Sequence, residues 1–410
     1  MEFRTHTLPN GLEIVAECCE SAYSTAVGYF VRTGSRDEPE ALAGVSHFLE
    51  HMVFKGTPRR SVDDVNREFD EMGAHYNACT GEEATIYYAA VLPECQDRVV
   101  ELWADVLRPS LREEDFETEK QVILEEIDLY LDMPPFGADD KCKEFYFGDH
   151  PLAKSVIGTP ESIKGMDVAM MRDYFQKWYS PSNITIVATG NVDFDSLVKT
   201  AEAATADWET FETNRVHRPS EGCQCFEVIE KESASQEYAI HLSPGPGCKD
   251  EDRYIAKLAG VILGDETGSR LYWELIDTGR AEHASLTHYE YEDVGIMATY
   301  LACDPELVEE NLATIWKVYE ETREDGITDE EFEQARSKVR SRIVLASERP
   351  RDRLFAVGSD WLLRREHRTV EDDLAEVDRL TRDDINRFFK KYHLRLGTTV
   401  AIGPRGNLRS

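Results

Sequence analysis

Nowhere in the 410 residues does an apolar run approach the roughly 20 residues that a helix needs to cross a bilayer. The amino terminus, Met-Glu-Phe-Arg-Thr-His, lacks the basic start and apolar stretch of a secretory signal, so the expected location is cytoplasmic. Positive charge is scarce, with 46 Lys and Arg against 80 Asp and Glu, a formal net charge of -34. Nucleic acid and an anionic membrane surface would both be repelled by that field, and neither is expected as a partner. Also missing is any repeated Cys-x-x-Cys spacing of the kind zinc ribbons use. The nine cysteines are scattered, and their odd number argues against a disulfide framework; most are expected to be small buried hydrophobes.

What remains is the composition of a globular protein, 41% hydrophobic and 10% aromatic, at a length beyond which one core usually stops growing. Two domains are therefore expected. Pro9-Asn10-Gly11 is a turn signal ahead of a strand, and a second strand over 26–32 leads through Thr33-Gly34-Ser35 into a helix over 42–54. Strands over 74–78 and 84–91 and long helical patterns over 94–107 and 113–131 follow, a mixed α+β order. The halves also resemble each other. The run at Phe116 (E-D-F-E) returns at Phe332 (E-E-F-E), an offset of 332 - 116 = 216, and Y-F-Q-K-W from Tyr174 returns at a similar offset as F-F-K-K-Y from Phe388. Residues 1–207 are read as one half, the polar stretch 208–224 with Pro219 and Gly222 as a linker, and 225–410 as the duplicated half.

Chemistry concentrates in the first half, in the run H-F-L-E-H at His47 to His51. Histidines four apart stand one above the other on a helix and can present two imidazoles to one ion. Glu50 lies beside them, free to act as a base, in the inverted order of the commoner H-E-x-x-H motif. The competing reading is the polar border of an amphipathic helix anchored by Phe48, Met52 and Phe54. A catalytic zinc takes three protein ligands and keeps a fourth position open. The third is sought in the acidic helix over 117–128, where Glu119 and Glu126 share a face two turns apart, although a solvated face is the default for any one of those glutamates.

Several segments resemble the inverzincin peptidases, the family of pitrilysin, insulin-degrading enzyme and the mitochondrial processing peptidase. They are T-L-P-N-G-L at 7–12, H-F-L-E-H-M-V-F-K-G-T at 47–57, G-A-H-Y-N-A-C-T-G-E-E-A-T at 73–85, E-K-Q-V-I-L-E-E at 119–126 and G-S-R-L at 268–271. The resemblance implies a short bacterial-type processing peptidase subunit with one zinc per chain, held by His47, His51 and Glu126. Glu50 would be the general base on a zinc-activated water, and Glu119 would orient the ligands. Each half would be a mostly antiparallel sheet packed with helices, the two enclosing a peptide chamber. Unfolded peptides would add as a strand beside Asn77 and Ala78.

One run departs from the pattern. Active members carry an arginine and a tyrosine in a second-half run resembling S-R-L-F-x-x-I-R-E-x-x-G-L-A-Y, groups that hold substrate and the oxyanion. This chain reads S-R-L-Y-W-E-L-I-D-T-G-R-A-E-H, with Ile276 and His283 at those two positions. A heterodimer with a related subunit that supplies the missing pair is expected over a homodimer. His283 or Arg280 as substitutes, and a non-catalytic peptide-binding or assembly subunit, are the alternatives.

Overall fold

The computed structural model describes residues 1–409, and it divides into two compact units. The first comprises Met1–Asp128, Lys154–Val216 and Ala346–Arg368; the second comprises Leu129–Ala153, His217–Leu345 and Thr369–Ser410. Among the described residues no helix is long and apolar enough to cross a membrane.

The first unit is built on six strands: β1 (Glu2–Thr7), β2 (Glu13–Cys18), β3 (Thr25–Val31), β4 (His75–Thr80), β5 (Thr85–Val91) and β6 (Ile184–Gly190). They lie in the order β1-β2-β6-β3-β5-β4, with β2 and β6 parallel and every other neighbour antiparallel. Sequence and position agree. β3 and β6 are apolar or small along their whole length and buried at every residue, as central strands covered on both faces must be. β4 is an edge strand and alternates in exposure.

Four helices belong to the stretch that carries the candidate chemistry: α1 (Val45–Val53), α2 (Val62–Glu71), α3 (Gln96–Val106) and α4 (Glu113–Asp132). One core joins them to the sheet, with Phe48, Phe69, Trp103 and Phe116 as large, fully enclosed side chains. β1 and α2 are not expected from the sequence. Both are polar and lie at the surface, α2 burying only Val65 and Phe69.

The second unit repeats the plan with β7 (Phe226–Glu230), β8 (Glu237–Gly245), β9 (His283–Glu290), β10 (Gly295–Cys303) and β11 (Thr398–Gly403), in the order β7-β11-β8-β10-β9. Only β7 and β11 run parallel, so the arrangement matches β2-β6-β3-β5-β4 strand for strand. The repeated motifs fall on equivalent elements. Phe116 and Phe332 open long helices, and the two aromatic runs close helices that precede β6 and β11.

Each unit draws a segment from the other half of the sequence. The helix Pro350–Arg364, from the second half of the sequence, packs Leu354 and Val357 onto Val15, Ala26, Phe30 and Val187 of the first sheet. Conversely, the helix Ala138–Phe147 packs Ala138, Cys142, Tyr146 and Phe147 against Ile240, Leu242, Val400 and Ile402 of the second. The stretch 208–224 has no helix or strand, yet its first part is anchored: Arg215 makes a buried bidentate ion pair with Asp37, at 2.6 and 2.9 Å, and donates to the Glu83 carbonyl.

The expectation for the cysteines is corrected. Only Cys142, Cys248 and Cys303 are buried, whereas Cys79 and Cys223 are exposed and Cys18, Cys19, Cys95 and Cys225 half-buried. Cys79 points outward from the edge strand β4, and Cys223 lies in the stretch without regular structure, so neither position offers a core to enter.

Candidate metal centre

α1 starts at Gly44, whose φ of 90° is left-handed and where a Cβ would stand 2.7 Å from the Ile157 carbonyl oxygen. Its apolar residues Val45, Phe48, Leu49, Met52 and Val53 are buried, and His47, Glu50 and His51 fall at the half-buried border. α4 runs alongside, with the Phe116 ring stacked on Phe48 at 4.6 Å between centroids. This stacking sets the glutamates of α4 opposite the histidines of α1.

His47, His51 and Glu126 each bring a ligand atom to within 4.8 Å of one another, the one such cluster among the described residues. The Nε2 atoms of His47 and His51 both lie 3.7 Å from the Glu126 carboxylate, one from each oxygen. That separation is close to the edge of about 3.3 Å of a tetrahedron with metal–ligand bonds of about 2.0–2.1 Å. The donor set, two imidazoles and one carboxylate, suits zinc and leaves a coordination position open. Glu126 remains partly exposed, its side chain 41% accessible.

Glu119 lies deeper and does a different task. Its carboxylate faces His51 Nδ1 at 2.9 Å and Lys55 Nζ at 2.5 Å. With Nδ1–H donating to Glu119, the His51 Nε2 lone pair is left for an ion, the carboxylate–histidine arrangement that fixes both tautomer and ring orientation. Burial alone would raise the Glu119 carboxyl, but hydrogen bonds from Lys55 and His51 outweigh it and hold the group below the ordinary range. Burial, then the neighbouring His51, pushes the His47 imidazole down to about 4, which keeps it neutral.

Glu50 accepts a 2.5 Å hydrogen bond from the Thr80 hydroxyl at the end of β4. Burial pushes its carboxyl above the ordinary value, an effect the Thr80 hydrogen bond and His51 oppose and Glu126 reinforces. Asn77 and Ala78 lie on the same edge strand, where the Ala78 N–H donates to Asn77 Oδ1 at 2.9 Å. A peptide adding to this edge must compete with that local bond.

His283 and Arg280 belong to the other unit, with partners of their own. His283 opens the edge strand β9, 3.1 Å from the Ser285 hydroxyl and edge-on to Tyr300, and Arg280 pairs with Glu310 at 2.8 Å. Ile276 ends a π-helical turn, Tyr272–Ile276, and packs against that unit's core. Arg270, in the resembling S-R-L run, is structural: it makes a bidentate pair with Glu331 and caps the Gly326 carbonyl. Lys55 and Thr80 are the site residues that sequence reading missed. Both sit inside the quoted family segments, but nothing local indicates that one meets Glu119 and the other Glu50.

Two duplicated α+β halves, the first with an inverted His-x-x-Glu-His helix facing a glutamate-bearing helix, define a peptidase-type metal-site scaffold. The chain belongs to peptidase family M16: the domain described as Insulinase (Peptidase family M16) matches residues 13–160, and the Peptidase M16 inactive domain matches 165–339. A protein named as an uncharacterized zinc protease of Mycobacterium tuberculosis is 32% identical, over 99% of this chain and 94% of its own length. One of Bacillus subtilis with the same description is 28% identical, over 99% and 100%. A protease of Helicobacter pylori shares the fold with a TM-score of 0.90 at 21% identity, covering 98% of this chain and 99% of its own. A Pseudomonas fluorescens structure, titled as a peptidase M16 inactive domain, superposes with a TM-score of 0.92 at 19% identity, covering 100% of this chain and 99% of its own.

Proposed function

We propose that the chain is a zinc-dependent endopeptidase that cleaves or processes short unfolded peptides, with one zinc per chain. The observation that carries this reading is the meeting of His47 Nε2, His51 Nε2 and the Glu126 carboxylate beside Glu50. A zinc ion held by His47, His51 and Glu126 would supply Lewis-acid activation of water and of the scissile carbonyl. Glu50 takes a proton from the attacking water and returns it to the departing amine, tasks suited to a carboxyl raised by burial. Glu119 holds His51 in its metal-binding tautomer, and Lys55 keeps Glu119 ionised. The free edge of β4 binds the peptide main chain, which makes recognition tolerant of sequence.

The reading includes a partner. Ile276 is apolar and half-buried, and His283 and Arg280 are engaged within their own unit, so the electrophilic groups of the site come from a related subunit in a heterodimer. The cytoplasm is the proposed location. The same observation favours the second reading, a peptide-binding subunit with little turnover.

The deciding experiment incubates the purified chain, alone and with any related subunit encoded beside it, with a mixed library of unfolded peptides, with and without a chelator. Chelator-sensitive cleavage is expected, and Glu50→Gln is expected to retain one zinc while losing cleavage. An intact library in every condition removes the enzyme reading. A homodimer that cleaves at full rate removes the heterodimer.

A further inference from the structure

Helix α1 begins without a cap of its own. Its N-cap is Gly44, which has no side chain, so the first N–H groups of the helix need acceptors from elsewhere. The acceptor is Glu38, six residues upstream. Its Oε2 accepts the Gly44 N–H and its Oε1 the Ser46 N–H, each at 2.7 Å. The residue is 3% exposed, and the same turn is braced by a buried hydroxyl chain in which Tyr174 Oη lies 2.7 Å from both Ser46 Oγ and Thr33 Oγ1. Backbone packing fixes the turn from outside: a Cβ at Gly158 would stand 2.4 Å from the Ala43 carbonyl oxygen, and Ser162 Oγ donates to that oxygen at 2.7 Å. Lys154 Nζ donates to the Glu38 main-chain carbonyl. His47 is the third residue of the helix, so it stands on the turn that Glu38 closes.

We infer that Glu38 is a positioning residue for the metal centre: from outside the helix it supplies the N-terminal cap that Gly44 lacks, and so fixes the first turn of α1 beneath His47. A fully ionised carboxylate is required. It has two acceptor oxygens for two N–H donors and complements the positive end of the helix, whereas a protonated carboxyl turns an O–H donor towards one of them. Burial, opposed by the Ser46 and Gly44 hydrogen bonds and the Lys154 charge, pushes Glu38 up to about 7. The other charged or titratable groups at this turn include His47 on the helix itself, Lys154, Tyr174, held protonated by burial, and Asp37, bound by Arg215.

The sign of the linkage separates positioning from ordinary stabilisation. With the folded value above the ordinary 4.5, the contribution of Glu38 to stability is present below 4.5 and lost as pH rises through about 7. Replacing the carboxylate by an amide at pH 8 relieves that burial of charge but leaves one acceptor oxygen for the two N–H donors, so half of the cap is lost.

The test uses the full chain and Glu38→Gln at pH 8. Expected are amide exchange about 10-fold faster at whichever of Gly44 and Ser46 loses its acceptor in the metal-free protein, and zinc affinity in chelator competition weaker by about 10-fold or more. Parent-like exchange and zinc affinity overturn the inference, as does a fall in midpoint with no change in affinity. The unmutated chain gives a second measurement that does not depend on the variant folding. After correction for intrinsic rates, protection at Gly44 and Ser46 should fall as Glu38 becomes protonated between about pH 8 and about pH 6, while amides in the second turn of α1 stay constant; protection at both that rises as pH is lowered overturns the inference. Only its catalytic consequence rests on the peptidase reading. If the parent cleaves nothing, that reading fails, and exchange still decides the role of Glu38.

Discussion

His51 has a carboxylate near each ring nitrogen, Glu119 at 2.9 Å from Nδ1 and Glu126 at 3.7 Å from Nε2, and the two are not equivalent. The buried one is tied to Lys55 and the exposed one faces both imidazoles, so loss of each has a different consequence. Glu126→Gln should abolish stable zinc binding. Glu119→Gln leaves three ligands in place and should weaken zinc by about 10- to 100-fold, the usual cost of losing an orienting partner, as measured by competition with a chromophoric chelator. The Glu50 carboxyl gives a further expectation. Because burial raises it and the Thr80 hydroxyl opposes that rise, Thr80→Val should move the acidic limb of the kcat profile to higher pH. A limb that stays in place, measured on a peptide the parent cleaves, would remove Glu50 as the group that must be ionised.

At the scale of elements, the site is two helices linked by an aromatic contact beneath the polar ones. Phe116 is fully buried and stacks on Phe48, so it links the helix of Glu119 and Glu126 to the helix of His47 and His51. Phe116→Ala should cost about 3–5 kcal/mol by denaturant titration, and zinc affinity should fall with it although no ligand has changed. Both helices were legible in the sequence because their apolar residues recur at helical spacing, and β4 and β5 because turn signals bound them. β1 and α2 were not, since surface elements with few buried residues leave little periodic signal. The members of the candidate cluster were legible for a related reason: His47 and His51 are set four apart by helical geometry alone, and Glu126 by a resembling segment. Lys55, Thr80 and Glu38 were not, because each meets its partner only after distant elements dock or a loop folds back.

For the whole molecule the sequence repeat was visible but the exchange across it was not. An offset between two halves is silent about a helix that leaves its half, and Pro350–Arg364 does so to cover Val15, Ala26, Phe30 and Val187. Charge fixes it there as well as apolar contact. Glu17 on β2 is buried, takes two hydrogen bonds from Arg353 at 2.6 and 2.7 Å, and lies 2.9 Å from His367 Nε2. Against the opposing effect of burial, the hydrogen bonds and charges of Arg353 and His367 bring Glu17 from 4.5 down to about 2, so its stabilisation is present above 4.5 and lost as pH falls from there towards 2. Arg353→Ala leaves the buried Glu17 carboxylate with His367 alone beneath the helix and should cost about 3 kcal/mol near neutral pH, with that segment of the acid-denaturation profile flattened. The stronger test divides the chain. A fragment of residues 1–216 contains every residue of the metal cluster but lacks the exchanged helix, which leaves an apolar face of its sheet and the Glu17 carboxylate uncovered. It should show no cooperative thermal transition and bind zinc poorly, whereas the same fragment with residues 346–368 appended through a flexible linker should recover both. Equal cooperativity in the two would mean that the first unit is complete without the exchanged helix. The expected difference would mean that the candidate metal cluster, encoded within the first 126 residues, depends for its rigidity on chain from position 346 onward.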